Sequence, residues 1–405
     1  MRRNVLIMGA GGVAHVVAHK CAQHNDKLGN ICIASRTVHK CDQIVESILR
    51  KGNLKDKNNS LTTQQVDAMD ISALSKLINE TGSTIVLNVA SPFTNLSVLQ
   101  ACLKTGAAYL DTSVHEDPLK ISEPPPWYAN YEWNFLESCQ KNELTAILST
   151  GFDPGVVNAY CAYAAEYQFD SIDTIDIMDV NAGDHGKYFA TNFDPEINFR
   201  EFTEDVWAWI DKKWVSSKTH SQKREFDFPV VGKQTIYLSG HDEIHSLSKN
   251  VDANSIRFWM GFSDHYINCF SVLKNTGLLS EQPVTTAEGQ EVVPLKVVKA
   301  CLPDPMSLAP NYSGKTCIGN LIKGSKDGQE KQIFIYNTCD HAKCYQEVEA
   351  QAISYTAGVP AVAAALLVAD GIWDVKKMVN VEELPSKPFL DLLGEIGLPT
   401  EIKQL

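Results

Sequence analysis

Positive charge is in short supply. The 405 residues carry 36 Lys and Arg against 49 Asp and Glu, a formal net charge of −13 at pH 7. A nucleic-acid binder needs a basic stripe to neutralise phosphates, so no nucleic-acid partner is expected. The acidic field favours cationic partners instead. Long apolar runs are nearly missing as well. The one extended charge-free stretch, 350–369, is Ala-rich and includes Gln351, Ser354, Thr356, Gly358 and Pro360. It reads as a buried helix with a proline-marked start, not as a membrane span. Paired cysteine spacing is absent. There are 11 cysteines, an odd number, and Cys21, Cys32, Cys102, Cys161 and Cys269 sit in apolar runs. Reduced, buried thiols of a cytoplasmic protein are expected. The densest group, Cys339-Asp340-His341-Ala342-Lys343-Cys344, has no second ligand pair nearby, and zinc usually takes four ligands, so no metal site is expected. No secretory leader is recognised ahead of the strand-like residues at Val5. Repeats and low-complexity tails are also missing.

What remains is ordinary globular material, 44% apolar and 21% charged. The length fits roughly two to three domains and can bury a large core. Over the first 150 residues, strand-length apolar runs alternate with helical periodicity. Strands are expected at 5–8, 31–34, 66–70, 85–89, 109–111 and 145–149. Helices are expected at 13–23, 38–49, 71–79, 96–105 and 133–140. This alternation predicts an α/β fold with an N-terminal Rossmann, doubly wound parallel sheet. Pro124-Pro125-Pro126-Trp127 reads as a stiff connector or lid. A helix is expected over 156–167. From Asp173 onward the β-branched and aromatic runs at 175–180, 235–238, 255–260 and 333–336 predict a second α/β domain with a mixed or antiparallel sheet. A long helix is expected over 346–368.

The strongest local signal is Gly9-Ala10-Gly11-Gly12-Val13-Ala14. It follows a strand and opens a helix. Gly9 permits the tight turn, Gly11 lets the backbone approach a pyrophosphate, and Ala14 lets helix and strand pack closely. The pyrophosphate would lie at a helix N-terminus, where unpaired N–H groups favour negative charge. An NAD site needs an acid at the end of the second strand, to bind the ribose 2′-hydroxyl. Here the residues are Ser35-Arg36-Thr37. The Arg36 fork suits a 2′-phosphate, with Ser35 and Thr37 as donors, so NADP(H) is the expected cofactor.

In an open α/β sheet, ligands bind beyond the carboxyl ends of the strands. Asp67 and Ala68 should border the adenine pocket. Asn88-Val89-Ala90-Ser91-Pro92-Phe93 should lie near the nicotinamide and the substrate, with the alternative that Asn88 satisfies turn backbone. Asp111-Thr112-Ser113 and the elbow Gly151-Phe152-Asp153-Pro154-Gly155 face the same crevice.

These segments, with the late Tyr355-Thr356-Ala357-Gly358-Val359-Pro360, together resemble the saccharopine dehydrogenase family, in order and over nearly the whole chain. Asn192-Phe193-Asp194-Pro195-Glu196-Ile197-Asn198-Phe199-Arg200-Glu201 and Gly240-His241-Asp242-Glu243 are most similar to the branch of that family that makes carboxylated polyamines. The resemblance implies an NADPH-dependent reductive condensation in polyamine and spermidine biosynthesis. L-Aspartate-β-semialdehyde and a diamine, 1,3-diaminopropane or putrescine, would form an imine that is then reduced. It also implies three segments: 1–150 for NADP, 151–350 for substrate binding, catalysis and dimerisation, and a helical 351–405 that returns to the Rossmann domain. A homodimer is implied.

On that resemblance, Arg200 matches a carboxylate-binding position, and a bidentate pair suits the aldehyde's α-carboxylate. The far ammonium of the diamine needs an acid, and Asp242, Glu243, Glu116 and Asp111 are the candidates. Pro92 and Phe93 would line the substrate. A proton must reach the departing water, from His241 or His115, with Lys187 beside Tyr188 as a further candidate. Blander readings stand beside these. Arg200 could be a surface residue, His241 and His245 could satisfy local hydrogen bonds, Cys161 could be core packing, and Trp207, Trp209 and Trp214 could pack a helix on a sheet. Two other functions stay open. A saccharopine-like or other opine-type dehydrogenase would need several Arg or Lys groups for its carboxylates, and homospermidine-type chemistry goes with NAD. A non-catalytic NADPH-binding regulator would lack a closed polar pocket.

Overall fold

The computed structural model describes residues 3–119, 130–203 and 205–405. The Pro124–Trp127 connector expected from the sequence lies outside them. Six strands come first: β1 (Asn4–Met8), β2 (Ile31–Ser35), β3 (Leu61–Gln65), β4 (Ser83–Asn88), β5 (Ala108–Asp111) and β6 (Ala146–Leu148). Then follow β7 (Ser171–Asn181), β8 (Val206–Ile210), β9 (Lys213–Ser217), β10 (Lys223–Phe228), β11 (Gly232–Ser239) and β12 (Ala253–Gly261). A small hairpin, β13 (Val284–Thr285) and β14 (Glu291–Val292), precedes the long hairpin of β15 (Lys315–Lys326) and β16 (Gln329–Asp340). The chain ends with β17 (Met378–Asn380) and β18 (Glu401–Gln404).

The first sheet is parallel, with the order β17-β6-β5-β4-β1-β2-β3. Val5, Leu6 and Ile7 are fully buried, because helices cover both faces of such a sheet and its central strands read as continuous apolar runs. The strand order reverses between β1 and β4, and this is the point where a crevice opens at the carboxyl edge. The second sheet runs β10-β11-β12-β7-β15-β16-β18, with β8 pairing β12 and β9. Its β12–β7 pair is parallel and its other pairs are antiparallel. The expected doubly wound sheet and mixed sheet are both present.

Three expectations need correction. The third strand lies at Leu61–Gln65, not at 66–70. It is a polar edge strand, Leu-Thr-Thr-Gln-Gln, with three of its five residues exposed, so no apolar run marks it. Asp67 and Asp70 instead form the turn behind it: Asp67 accepts from Met69 N, and Asp70 caps the Ile71–Thr81 helix by accepting from Ser72 N and Ala73 N. The long helix over 346–368 is two helices, His341–Val348 and Ala352–Ala369, separated at Glu349, whose φ is +56°. Pro360 lies inside the second helix and does not start it. Cys269 is half-buried rather than buried, and Cys301 is exposed.

The Ala352–Ala369 helix is long and apolar enough to cross a membrane, but 83% of it is buried within the protein. It lies against the Gly12–Gln23 helix at small residues. A Cβ on Gly358 would come within 2.9 Å of Val16, and one on Gly12 within 2.5 Å of Ser354 Oγ. His15 and Lys20 tie the same helix pair to the late chain: His15 Nε2 is 2.7 Å from Val348 O, and Lys20 pairs with Glu347 and donates to Ile396 O at 2.8 Å. With β17 paired to β6, this part of the chain returns to the first sheet, while β18 at the C-terminal end pairs with β16 in the second.

Candidate active site

Gly9 turns the chain back after β1. Its φ is +125°, and a Cβ there would sit 2.7 Å from Val89 O. Only glycine fits between the loops that follow β1 and β4. A Cβ on Gly11 would meet nothing within 4 Å, so it would project into the space ahead of the Gly12–Gln23 helix. Gly11 precedes that helix and no side chain caps it. The first amides, of Gly12 and Val13, are thus left for a phosphate. Ala14 is fully buried. Ser35 Oγ accepts from Thr37 N at 3.0 Å and holds the end of β2. Arg36 and Thr37 are exposed. The Arg36 guanidinium bonds to none of the described residues, while its carbonyl accepts from Gln65 Nε2. An unshared fork at this strand end, with no acid, fits NADP(H). Asp67 is exposed, and the Ala68 carbonyl accepts from Ser97 Oγ at 2.6 Å, so this pair shapes a turn behind the β3 edge.

The other strand ends close the crevice. Asn88 is buried and donates to Asn95 Oδ1 at 2.8 Å, so its amide organises the turn. Val89, Ala90 and Ser91 continue this loop, and Val89 N is tied to Met8 O. The Pro92 carbonyl lies 3.1 Å from His115 Nδ1, and the Phe93 ring lies 5.0 Å from the Arg200 guanidinium. At the elbow, Phe152 is buried against Tyr160. Pro154 is buried, and a Cβ on Gly155 would fall 2.1 Å from Gly151 O.

Beyond these ends lies a buried acidic pocket with one imidazole at its centre. His241 Nδ1 is 2.5 Å from Glu243 Oε2, and its ring stacks on Phe258 at 4.0 Å. Burial opposes the His241 imidazolium, but Glu243, Glu201 and Asp153 together outweigh it and hold the pKa well above its usual value. Asp242 accepts from Val114 N at 3.2 Å; burial pushes its carboxyl up to about 6. Burial and Asp242 push Glu116 up to about 7, with Arg200 pulling back. Burial pushes Glu201, on the Pro195–Thr203 helix, up to about 8, against the pull of His241. Burial and then Asp179 raise the Asp153 carboxyl, while burial pushes Asp179 up to about 6 against the pull of His241 and a hydrogen bond with Asp153. Among the described residues, no donor reaches the buried Asp179 Oδ1, Glu201 Oε2 or Glu243 Oε1.

Arg200 forms the pocket's one cationic wall. Its Nε and Nη2 donate to both oxygens of Glu281, at 2.6 and 3.0 Å. Glu116 lies 3.5 Å from Nη1, and the Asp117 and Pro118 carbonyls accept further bonds.

Asp111, expected in a catalytic and cofactor role, is an internal tie: Oδ1 accepts from Ser149 N at 2.5 Å and Oδ2 from the Tyr109 hydroxyl at 2.8 Å. Burial and Glu132 raise its pKa well above the usual carboxyl range. Lys187 is exposed on the loop after β7 and shares no ion pair with the His241 cluster. His245 stacks on Trp214 and is kept neutral by burial, which lowers its pKa to about 3. Sequence reasoning missed the placement of Asp179, Glu201 and Glu281. Only Glu201, next to Arg200, stood in a quoted motif.

Comparison with known proteins places these features in a family. The saccharopine dehydrogenase NADP binding domain matches residues 5–147, and the saccharopine dehydrogenase C-terminal domain matches residues 151–398. Carboxynorspermidine synthase of Vibrio alginolyticus is 48% identical over 99% of this chain and 97% of its own. The carboxyaminopropylagmatine dehydrogenase of a Synechocystis species is 45% identical over 98% of this chain and 96% of its own. Among solved structures, apo saccharopine dehydrogenase (L-Glu forming) from Saccharomyces cerevisiae aligns with a TM-score of 0.73 at 13% identity, covering 100% of both chains, and so shares the fold. The cofactor is NADP(H). The chain belongs to the saccharopine dehydrogenase family.

Proposed function

We propose that this chain condenses L-aspartate-β-semialdehyde with a diamine and reduces the resulting imine with NADPH, giving carboxynorspermidine or carboxyspermidine. The observation that carries this reading is the buried acidic pocket around His241, with acceptor oxygens that no donor of the described chain reaches. A cationic amine supplies such donors. A tricarboxylate such as saccharopine would meet repulsion from Asp242 and Asp179, and one arginine already facing two acids. The relatives' names concern carboxylated polyamines and agmatine derivatives, which fits an acid-lined site.

The chemistry follows from the groups present. Asp242, whose carboxyl is pushed up to about 6, is ionised near neutral pH and can take a proton from the reacting ammonium, leaving a neutral amine to attack the aldehyde. The other acids hold the far ammonium. Arg200 anchors the α-carboxylate. The protonated His241, oriented through Nδ1 by Glu243, donates a proton to the carbinolamine hydroxyl, which leaves as water. NADPH, when bound along the glycine turn and Arg36, supplies the hydride. The elbow 151–155 and the loop 88–93 position the imine and exclude water. Residues 1–150 bind cofactor, 151–350 bind substrate and pair two chains into a homodimer, and 351–405 brace the first sheet in a cytoplasmic enzyme.

The test is amine-dependent NADPH oxidation with the aldehyde present, comparing 1,3-diaminopropane, putrescine and agmatine. Oxidation that requires both substrates supports the reading. Oxidation with saccharopine precursors alone would favour an opine-type enzyme, and NADPH binding without turnover would favour a regulator.

A further inference from the structure

Glu281 belongs to no motif used above, yet among the described residues it makes the shortest bonds to Arg200. Its carboxylate meets the guanidinium edge in two parallel bonds, Nε to Oε1 at 2.6 Å and Nη2 to Oε2 at 3.0 Å. That is the geometry in which arginine takes a free carboxylate ligand. The two partners are held very differently. Arg200 is 4% exposed, lies over Phe93, and sits on a helix whose Phe199 and Phe202 are fully buried. Glu281 stands at the root of the β13–β14 hairpin. Leu279 and Leu295 pin that root in a small apolar cluster, and Leu295 N bonds to Ser280 O at 3.1 Å. Beyond Glu281 the hairpin is exposed along most of its length. The arginine is anchored on its helix, and the acid stands where the exposed hairpin begins.

We propose that Glu281 is a resident carboxylate that the α-carboxylate of the aldehyde displaces from Arg200, so that Glu281 sets the enzyme's affinity and selectivity for carboxylated aldehydes. This rests on the reading of Arg200 as the substrate's carboxylate anchor. A buried guanidinium stripped of counter-charge is costly, so an anchor of this kind keeps an acid beside it. Exchange of one carboxylate for another preserves the charge and both bonds at the fork. An aldehyde without a carboxylate offers no such exchange and leaves the fork closed by Glu281. Glu116, 3.5 Å away on Nη1, stays as the second counter-charge during the exchange.

The test measures the KM for aspartate semialdehyde and for the amine in Glu281→Gln and Glu281→Asp, with thermal melts to confirm folding. Removing the competing charge in Glu281→Gln lowers the aldehyde KM about tenfold, while the amine KM stays within about twofold. Glu281→Asp keeps the charge on a shorter arm and gives a smaller drop in the same direction, which holds the test open if the glutamine variant folds poorly. An aldehyde KM that rises or stays fixed in both variants overturns the proposal and makes Glu281 a permanent partner of Arg200. Arg200→Gln separates the two failures. If that variant leaves the aldehyde KM unchanged, the anchor itself is lost; if it raises the KM but neither Glu281 variant lowers it, only the displacement is overturned.

Discussion

At His241 two opposed forces are resolved in favour of charge. Burial disfavours the imidazolium, and Glu243, Glu201 and Asp153 favour it more strongly. A ring kept protonated near neutral pH beside a carboxylate is suited to hand a proton to a leaving hydroxyl. His241→Asn should therefore lower kcat by about 10² to 10⁴ while leaving NADPH affinity, read by nicotinamide fluorescence, unchanged. On the proposed reading, Arg36 acts on the cofactor alone. Loss of its charge-assisted bonds in Arg36→Ala should weaken NADPH about 10- to 100-fold and leave NADH nearly untouched, which competitive binding of the two cofactors will measure. Residues of this second kind were legible in the sequence. Gly9, Gly11 and Arg36 work through a local turn and a strand end, and spacing reports both. Asp179, Glu201 and Glu281 were not legible. Each is one acid among 49 Asp and Glu, and only the meeting of β7, the Pro195–Thr203 helix and the β13 root makes them a site. Asp111 stands at a strand end, where donors at Ser149 and Tyr109 engage its carboxyl.

Between elements, the tightest joint is the one that brings the late chain back to the cofactor helix. Gly358 lets the Ala352–Ala369 helix approach Val16 to the point where an added Cβ would sit 2.9 Å away. Gly358→Ala should push the two helices apart and cost about 1–3 kcal/mol. A denaturant melt would show the loss, and weaker NADPH binding would accompany it, because the displaced helix carries the glycine turn. The central strands were readable from sequence because both faces of a parallel sheet are covered and the runs are apolar throughout. The polar edge strand β3 carried no such run. The break at Glu349 was hidden because a left-handed residue that is not glycine carries no mark in the sequence.

Across the whole molecule, buried ionisable groups pull stability in two directions. Glu116, Asp242 and Glu201 have native pKa values raised to about 7, 6 and 8. The folded state then holds more protons than the unfolded chain, so their stabilising contribution is lost as pH rises from about 4 to about 8. His19, His220 and His341 have values lowered to about 3, 4 and 4. Their contribution is lost as pH falls below about 6.5. Thermal melts across pH should therefore show a broad maximum between about pH 4 and 6.5, with losses on both sides. Glu201→Gln should flatten the alkaline side only. A diamine should do the same, by drawing the pocket acids into their charged form, and its affinity should rise between pH 6 and 8 with protons released on binding.

All of these expectations depend on an acid-lined pocket that takes a cationic amine and delivers it to an aldehyde. The most direct measurement is the absorbance of reduced nicotinamide in a mixture of protein, NADPH, aspartate semialdehyde and one diamine at a time. Steady oxidation is predicted only when both aldehyde and amine are present, with a product that contains the carbons of both. Protein that binds NADPH yet shows no oxidation with any diamine or agmatine, or oxidises it at the same rate without an amine, would contradict the assignment.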